Sequence, residues 1–203
     1  MMHRWGWTLI ILLSGVVLLG RMGVWQALPS NEKAHLATDT ISFLEGADYQ
    51  KQLIADFTAA ESSIFIALFA CVLPDDASQR HPVRQLLDSL VDAHRRGVEV
   101  HVLFDYERRR DGSEDMVNHN AAEYLAQRAV PVRRSEPNRR AHMKTVVIDD
   151  VVVHIGSANW TWSAFRRNRE HNLRVSDVAI ASDVLTACMH AWDAASPQEE
   201  LGH

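Results

Sequence analysis

The sequence predicts an α/β fold in which a mixed β-sheet carries helices on both faces. Apolar residues from Tyr49 to Ala60 recur at helical spacing, whereas Ser63 to Val72 is an unbroken apolar run of the kind found in strands buried on both faces. Helix-like and strand-like segments continue to alternate along the rest of the chain. Strands separated by helices are typical of layered α/β domains. A hydrophobic helix is expected in addition at the N-terminus.

Helices and strands can be assigned in order beyond residue 40. The segment before Gly97 presents one apolar side and stops at a residue favoured just after a helix end. Helices are predicted at Tyr49–Ala60, Pro82–Arg96, Asp115–Gln127 (with Met116, Ala122 and Leu125 inward) and Val178–Ala194. Strands are predicted at Ser63–Val72, Val98–Phe104, Val130–Val132, Thr145–Ile148, Val151–Ile155 and Leu173–Val175.

Composition limits the class of protein. A chain of 203 residues with 47% hydrophobic content can form one domain with a sizeable core, and 23% charged residues exclude wholesale disorder. The formal net charge of -5 argues against a generic coat for nucleic acid, although the arginines are unevenly spread.

The N-terminal segment has the pattern of a secretory signal. Arg4 precedes an apolar run from Trp5 to Gly20, which is shorter than the ~20 residues that cross a bilayer comfortably but can span if Arg21 extends to the interface. An uncleaved anchor is favoured over a cleaved signal peptide and over a buried helix of the domain. The expected organisation is a signal anchor or signal peptide at 1–28, a polar linker at 29–40 and the main domain at 41–203.

Cys71 and Cys188 both lie in apolar surroundings. Two buried small side chains are favoured, and a disulfide between them is the alternative. No Cys or His spacing is typical of a zinc site.

The side chains that could carry chemistry lie between His142 and Glu170. His142 and Lys144 are two apart, so on an extended strand both project to one face. Asp149 closes the strand that follows, and Gly156-Ser157-x-Asn159 lies at the end of the next strand. We expect an imidazole, an ammonium, a hydroxyl and a carboxamide to converge. Such groups suit a phosphate, because Lys and Asn bind its oxygens and His can act as nucleophile or proton carrier.

The pattern His142-x-Lys144-x4-Asp149-x6-Gly156-Ser157-x-Asn159 resembles the signature of the phospholipase D superfamily in full. The similarity extends over roughly Ile41 to Trp192. It implies that residues 41–203 form a phospholipase D-like half-domain that hydrolyses phosphodiesters. The motif occurs once, as in single-motif members such as bacterial EDTA-resistant endonucleases and the mitochondrial cardiolipin hydrolase type. Those members build one active site across a two-fold dimer, so the resemblance implies a homodimer with a shared site.

The resemblance also implies a mechanism without metal or cofactor. One His142 attacks phosphorus to form a phosphohistidine, and the partner's His142 protonates the leaving oxygen and then activates water. Lys144 and Asn159 hold the non-bridging oxygens. Ser157 supports the phosphate or orients a neighbour, and Glu170 hydrogen-bonds an imidazole. Asp149, grouped with these catalytic residues, is expected to stabilise the backbone of the site more than to touch substrate.

Local charge bears on the substrate. Arginines at 133, 134, 139 and 140 precede His142, others at 166, 167 and 169 follow Asn159, and three stand at 108–110. Arg139, Arg140 and Gly156 are expected to bind substrate together with Lys144 and Asn159. Arginines concentrated beside the motif favour an endonuclease on DNA or RNA. The alternative is a phospholipase D that releases phosphatidate from membrane phospholipids such as phosphatidylcholine or cardiolipin. The signal segment predicts a location on the periplasmic side of a bacterial inner membrane, either anchored or secreted to the periplasm.

Overall fold

The computed structural model describes residues 41–106, 116–136 and 139–197. Its strands are β1 (Ile41–Leu44), β2 (Ser63–Leu68), β3 (Glu99–Phe104), β4 (Val132–Arg134), β5 (Lys144–Ile148), β6 (Val152–Gly156), β7 (Asn172–Ser176) and β8 (Ser196–Pro197). Its helices are α1 (Gly46–Ala59), α2 (Pro82–Arg95), α3 (His119–Ala126), α4 (Trp162–Arg166) and α5 (Val178–Asp193).

The described strands form one mixed sheet in the order β1-β7-β6-β5-β2-β3-β4-β8. Strands β2, β3 and β4 are parallel to one another, and every other neighbouring pair is antiparallel. β2 lies near the centre, and all six of its residues are buried. The predicted mixed sheet, with a central strand buried on both faces, is confirmed.

Four helices cover one face of the sheet. α1 contributes Leu53 and Phe57 to the larger core, and α2 contributes Leu86 and Leu90, which lie one helical turn apart. α3 and α4 complete this layer. Pro82 begins α2 at a position where its missing N–H is not needed, and Gly97 follows the helix with a φ of +95°.

The opposite face is covered by α5. Ala181, Cys188 and Trp192 of this helix pack with Phe65 of β2 and Val147 of β5 in a second core. Helices therefore lie on both faces, as predicted. Both cysteines are buried and unpaired. Cys71 belongs to the larger core and Cys188 to the second, so the sheet separates them and the disulfide alternative is not realised.

A buried ion cluster fastens α1 to β6 and β7. The Asp56 carboxylate accepts hydrogen bonds from Nε2 of His154 at 2.7 Å and from Nε of Arg174 at 2.9 Å. Burial alone would raise the pKa of Asp56, but the bonds from His154 and Arg174 outweigh it and lower the pKa to about 2. Burial also lowers the pKa of His154. The cluster thus joins a carboxylate, a guanidinium and a neutral imidazole.

Several boundaries differ from the prediction. The apolar run from Ser63 continues to Val72, but strand pairing of β2 ends at Leu68, because the next residues turn to meet Trp160. β4 lies two residues later than expected, since Val132 pairs with Val102 of β3. Met116, expected inward, is 53% exposed. The short elements β1, α4 and β8 were not predicted.

The proposed signal segment, the linker and the arginines at 108–110 lie outside the described residues. Among the residues that are described, no helix has the length and apolar content needed to cross a membrane. The division of the chain at residues 28 and 40 therefore stays a prediction.

Candidate active site

The residues of the sequence motif meet at one edge of the sheet. The parallel strands β2 and β3 end at this edge, and the antiparallel strand β5 begins there with Lys144 opposite Leu68. β6 ends at the same edge and β7 begins there, with Gly156 opposite Asn172. Ser157 and Glu170, which adjoin these strand ends, are therefore brought towards the start of β5.

His142 and Lys144 form the centre of the candidate site. Nζ of Lys144 lies 3.5 Å from Nε2 of His142 and donates to the His142 carbonyl at 3.2 Å. Lys144 is only 8% exposed, whereas His142 is exposed. Burial lowers the pKa of Lys144, and the charges of Glu170 and Asp105 oppose that shift. A partly desolvated cation beside an accessible imidazole can bind a phosphate oxygen next to a nucleophile.

Phe69 lies against both of these side chains, although the sequence analysis did not assign it to the site. The centroid of its ring is 4.5 Å from that of His142, 4.8 Å from Nζ of Lys144 and 5.4 Å from the guanidinium carbon of Arg140. Its N–H donates to the carbonyl of Met143 at 2.7 Å. The sequence carried no distinct signal for it, because Phe69 lies inside the apolar run Ser63–Val72 that was predicted as one strand, whereas β2 ends at Leu68.

Asp105 and Asn118 support the site from the next strand along the sheet. The Asp105 carboxylate accepts from the N–H of Ala141 at 2.5 Å and so fixes the residue before His142. The Asn118 carboxamide donates to the carbonyls of Phe69 at 3.0 Å and Asp105 at 2.9 Å. Neither was found by sequence reasoning, because only the fold reveals that the loops after β2 and β3 are adjacent.

Ser157 and Glu170 form a pair at the exposed rim. Oγ of Ser157 donates to Oε2 of Glu170 at 2.5 Å and accepts from the N–H of His171 at 3.1 Å. Oε1 of Glu170 accepts from Asn168 at 3.0 Å. The expectation that Glu170 hydrogen-bonds an imidazole is not realised within this chain, since its carboxylate is bound by Ser157 and Asn168. Ser157 therefore orients its neighbour, one of the roles expected for it.

Asn159 follows β6 in a segment joined to the end of β2. The next residue, Trp160, donates its N–H to the carbonyl of Ala70 at 2.9 Å, and Val72 donates to the carbonyl of Trp160 at 2.8 Å. Asn159 is half-buried, and its Oδ1 accepts no hydrogen bond from the part of the chain that the structure describes. That oxygen is shielded from solvent, so any bond from this carboxamide to a phosphate oxygen would have to come from its Nδ2 amide.

Asp149 lies at the far end of β5 from Lys144. Its carboxylate accepts from the N–H groups of Glu61 at 3.0 Å, Ser62 at 2.7 Å and Ser63 at 2.9 Å. Burial raises the pKa of Asp149, but these bonds outweigh burial and lower it. Its grouping with the catalytic residues is corrected accordingly: Asp149 anchors the loop before β2, as its expected backbone role anticipated.

Gly156 is required for packing. A Cβ added to Gly156 would lie 2.3 Å from Oδ1 of Asn172 and 2.4 Å from the carbonyl of His171. β6 and β7 could not approach so closely with any larger residue. Gly156 thus has a role in strand packing, and the expectation that it binds substrate stays a prediction.

Among the described residues, the arginines near the motif differ in exposure and in their contacts. Arg133 lies on β4 and donates to the carbonyl of Trp192 at 2.8 Å, and Arg134 is buried. Arg166 is committed to Oε1 of Gln50 at 2.6 Å. The exposed arginines beside the site are Arg139, Arg140, Arg167 and Arg169. The predicted basic region is smaller than the sequence indicated, because β4 takes two arginines into the fold.

No group of three or more His, Cys, Asp or Glu side chains within the described ranges is placed to hold a metal ion. Within the described residues, the ammonium of Lys144 beside the accessible imidazole of His142 is a cation placed to meet an anion.

The fold and the site together define a class of protein that presents a His-x-Lys pair at the edge of a mixed sheet. A family model described as "Cardiolipin synthase, PLD-like domain" matches residues 53–192. The chain belongs to this phospholipase D-like family, as the motif predicted.

Curated relatives match at moderate identity. The chain is 29% identical over 159 residues to the mitochondrial cardiolipin hydrolase of Mus musculus, a match covering 75% of this chain and 65% of the relative. It is 28% identical over 152 residues to the human protein of that name, covering 75% and 54%. Phospholipase D Z of Dictyostelium discoideum is 29% identical over 176 residues, covering 81% and 39%. The matches thus span 54–65% of the length of the cardiolipin hydrolases.

Solved structures share the fold. Nuc of Salmonella typhimurium, a phospholipase D family member, superposes with a TM-score of 0.63 at 22% identity, covering 79% of this chain and 97% of that one. NucT of Helicobacter pylori superposes with a TM-score of 0.59 at 18% identity, covering 78% and 99%. At these identities the likeness concerns the fold.

Proposed function

We propose that this protein is a phosphoric diester hydrolase that works through a phosphohistidine at His142. The observation that carries the proposal is the contact between the exposed imidazole of His142 and the buried ammonium of Lys144. A phosphate oxygen bound by Lys144 would place phosphorus beside the imidazole. Family membership supports the same class of reaction.

The reaction proceeds in two displacements. A ring nitrogen of His142 bonds to phosphorus while the bond from phosphorus to the leaving oxygen breaks, and an acid donates a proton to that oxygen. Water then attacks the phosphohistidine, loses its proton to the same acid–base group and releases the product. Lys144 and Asn159 stabilise charge on the non-bridging oxygens. This mechanism uses no metal and no cofactor.

The proposed acid–base group is the His142 of a second copy of the chain. Each chain brings one copy of the motif, so a homodimer with a shared site would supply both imidazoles. An exposed apolar row supports this assembly: Phe43, Leu173 and Ile155 are 58%, 41% and 45% exposed and stand side by side across β1, β7 and β6. The row lies on the α5 face at the site edge, where a second copy would cover it.

Nucleic acid is the substrate that we favour. Trp162 is 50% exposed and follows Asn159 by three residues, a chain length of at most about 11 Å. Arg167 and Arg169 are exposed between Trp162 and Glu170. An exposed aromatic ring among arginines is suited to stacking an unpaired base while the arginines attract the backbone. We therefore propose an endonuclease acting on DNA or RNA.

Membrane phospholipid is the second candidate. The curated relatives are named as cardiolipin hydrolases and a phospholipase D. An anchor at residues 1–28 would hold the site at a bilayer, and we propose its location as the periplasmic side of a bacterial inner membrane, either anchored or released to the periplasm. Phosphatidylcholine or cardiolipin would then be cleaved to phosphatidate.

One panel of substrates separates the two candidates. The full chain, purified in detergent, is assayed in EDTA on single-stranded DNA, RNA, cardiolipin vesicles and phosphatidylcholine vesicles, with His142→Asn as the blank. We expect cleavage of nucleic acid that survives EDTA and is absent from the blank. Cleavage of lipid alone would overturn the favoured substrate. Turnover that is lost in EDTA would overturn the metal-free mechanism.

Trp162→Ala offers a matched test of the stacking surface. On single-stranded DNA we expect KM to rise about tenfold, because stacking on an aromatic side chain stabilises a bound base by ~1–3 kcal/mol. Trp162→Phe should keep most of the affinity, and bis(p-nitrophenyl) phosphate should be cleaved by all variants at similar rates. An unchanged KM for DNA in Trp162→Ala would remove this support for a nuclease.

A further inference from the structure

Both backbone polar groups of Phe69 are held by residues next to the site. Its N–H donates to the carbonyl of Met143, the residue between His142 and Lys144. Its carbonyl accepts from the carboxamide of Asn118, which also binds the N–H of Cys71 at 2.7 Å. The ring is therefore carried by a backbone that cannot shift without moving β5.

The Phe69 ring packs against the His142 imidazole. The two ring centroids are 4.5 Å apart at an interplanar angle of 54°. Within the described chain, the only polar contact to the His142 ring is the one from Lys144 at 3.5 Å. An exposed imidazole held by one polar contact would sample several rotamers, and a ring packed against it limits that number.

The same ring lies beside two cations. Nζ of Lys144 and the guanidinium carbon of Arg140 both lie within the range in which an aromatic face attracts a cation, at 4.8 and 5.4 Å. Replacing the ring by an aliphatic side chain would remove this attraction while leaving apolar bulk in place. The imidazole of His142, the ammonium of Lys144 and the guanidinium of Arg140 would surround a bound phosphate. All three thus contact the same aromatic ring.

We propose that Phe69 is a positioning residue that holds the imidazole of His142 and the ammonium of Lys144 at a fixed separation. This inference rests on the proposed function, because it assigns a role in that same site. Phe69 does not touch the reacting atoms. It acts by keeping the nitrogen that attacks phosphorus, or that donates the proton to the leaving oxygen, in line with a phosphate bound at Lys144.

The test uses two small diesters of similar shape, so that neither nucleic acid nor lipid recognition enters. The p-nitrophenolate released from bis(p-nitrophenyl) phosphate is stable without a proton. The phenolate released from diphenyl phosphate is more basic, so its departure is accelerated more by a donated proton. The full chain is compared with Phe69→Leu and Phe69→Tyr. For Phe69→Leu we expect kcat to fall about 10- to 100-fold with KM changed less than about threefold, since small misplacements of reacting groups cost rates of this order.

Two further readouts distinguish positioning from simple packing. The fall in kcat should be larger on diphenyl phosphate than on bis(p-nitrophenyl) phosphate, and Phe69→Tyr should restore both rates to within about threefold of wild type. Phe65→Leu is the matched control, because Phe65 is a buried aromatic of β2 that faces α5. It should lower thermal stability and leave kcat per folded molecule unchanged.

A folded Phe69→Leu protein with wild-type kcat on both diesters would overturn the proposal. So would a loss of equal size on both diesters that matches the fraction unfolded. Failure of the proposed function gives a different result, since His142→Asn would then retain turnover whatever the Phe69 variants do.

Discussion

The imidazole of His142 and the ammonium of Lys144 differ in their access to water. His142 is exposed and can reach a substrate, whereas Lys144 is buried; burial lowers the pKa of Lys144, and the charges of Glu170 and Asp105 oppose that shift. A cation fixed in a partly dry site stabilises developing negative charge more effectively than a solvated one, because it needs no reorganisation during the reaction. The proposed chemistry therefore depends on the burial of Lys144.

Replacing Lys144 by Met tests this role. We expect kcat to fall at least about 100-fold, the loss typical when one group that stabilises transition-state charge is removed. Lys51→Met is the matched control, because Lys51 is an exposed lysine on α1. Steady-state rates on bis(p-nitrophenyl) phosphate measure both variants. Wild-type turnover by a folded Lys144→Met protein would show that the ammonium is not used.

The position of His142 beside Lys144 could be predicted from their spacing in the sequence. Side chains two residues apart on an extended backbone project to the same side, so His142 and Lys144 were expected to lie together. In the structure they are in contact. The supporting residues Phe69, Asp105 and Asn118 could not be found in this way, because each joins the site through a loop adjacency created by the sheet. Arg133 and Arg134 were misassigned for a similar reason, since pairing of β4 with β3 turns a basic stretch into a strand.

The loop between α1 and β2 depends on a residue from another element. Asp149 follows β5 with a φ of +52° and accepts hydrogen bonds from three consecutive N–H groups, those of Glu61, Ser62 and Ser63. Charge-assisted bonds of this kind are among the strong ones in proteins. Asp149 therefore holds the start of β2 in register with β5.

Asp149→Asn should destabilise the fold while sparing the site. We expect the free energy of unfolding to fall by about 1–3 kcal/mol, because the amide still tolerates the left-handed backbone but loses the charge on its acceptor. Urea denaturation measures the change, and kcat per folded molecule should stay near wild type. Glu61→Gln, an exposed carboxylate in the same loop, should have little effect. A large loss of kcat in folded Asp149→Asn would return Asp149 to the catalytic residues.

The cluster of Asp56, His154 and Arg174 predicts how stability depends on pH. Burial lowers the pKa of His154 below 6.5, so below that pH the unfolded chain takes up a proton that the folded chain does not. Asp56 has a pKa of about 2 against 3.8 in the unfolded chain, a difference equivalent to about 2 kcal/mol. Its contribution is complete above pH 3.8 and is lost as the pH falls towards 2.

Urea denaturation at about pH 7.0, 5.5 and 4.5 spans the titration of histidine. The free energy of unfolding should fall as the pH is lowered through this range. His154→Asn should flatten this dependence, although its stability at neutral pH will be lower because Asp56 loses a donor. His190→Asn, a change at an exposed histidine of α5, should keep the wild-type dependence. Equal slopes in His154→Asn and wild type would contradict the account.

The elements that could be predicted are the long ones with a clear period. α1, α2 and α5 carry an apolar side over 14 to 16 residues, and β2 is a continuous apolar run. β1, α4 and β8 have five residues or fewer, too few for any period to emerge. They form because neighbouring strands and loops hold them, which a local pattern cannot reveal.

Within the part of the chain that the structure describes, an apolar row lies exposed beside the site. The solvent-facing surface of a sheet ordinarily carries polar residues. Here it carries three exposed apolar ones, Phe43, Leu173 and Ile155. Contiguous exposed apolar surface is typical of an interface. The homodimer proposed above would cover this row if its two-fold axis ran through this face.

Subunit mixing tests the shared site. Wild type and His142→Asn are unfolded together in equal amounts and refolded, so that subunits assort at random. If one site needs both imidazoles, activity should be about one quarter of that of the same total amount of wild type, because only wild-type homodimers are complete. Independent sites would retain about one half. A monomer by light scattering that remains active would also contradict the shared site.

The covalent intermediate tests the central claim most directly. The full chain is mixed with substrate in EDTA, quenched in alkali within the turnover time to preserve phosphohistidine, digested and examined by mass spectrometry. We expect a phosphoryl-linked adduct on the imidazole of His142, formed at a rate that supports turnover and absent from His142→Asn. Turnover without any adduct on His142, or with the adduct on another side chain, would contradict it.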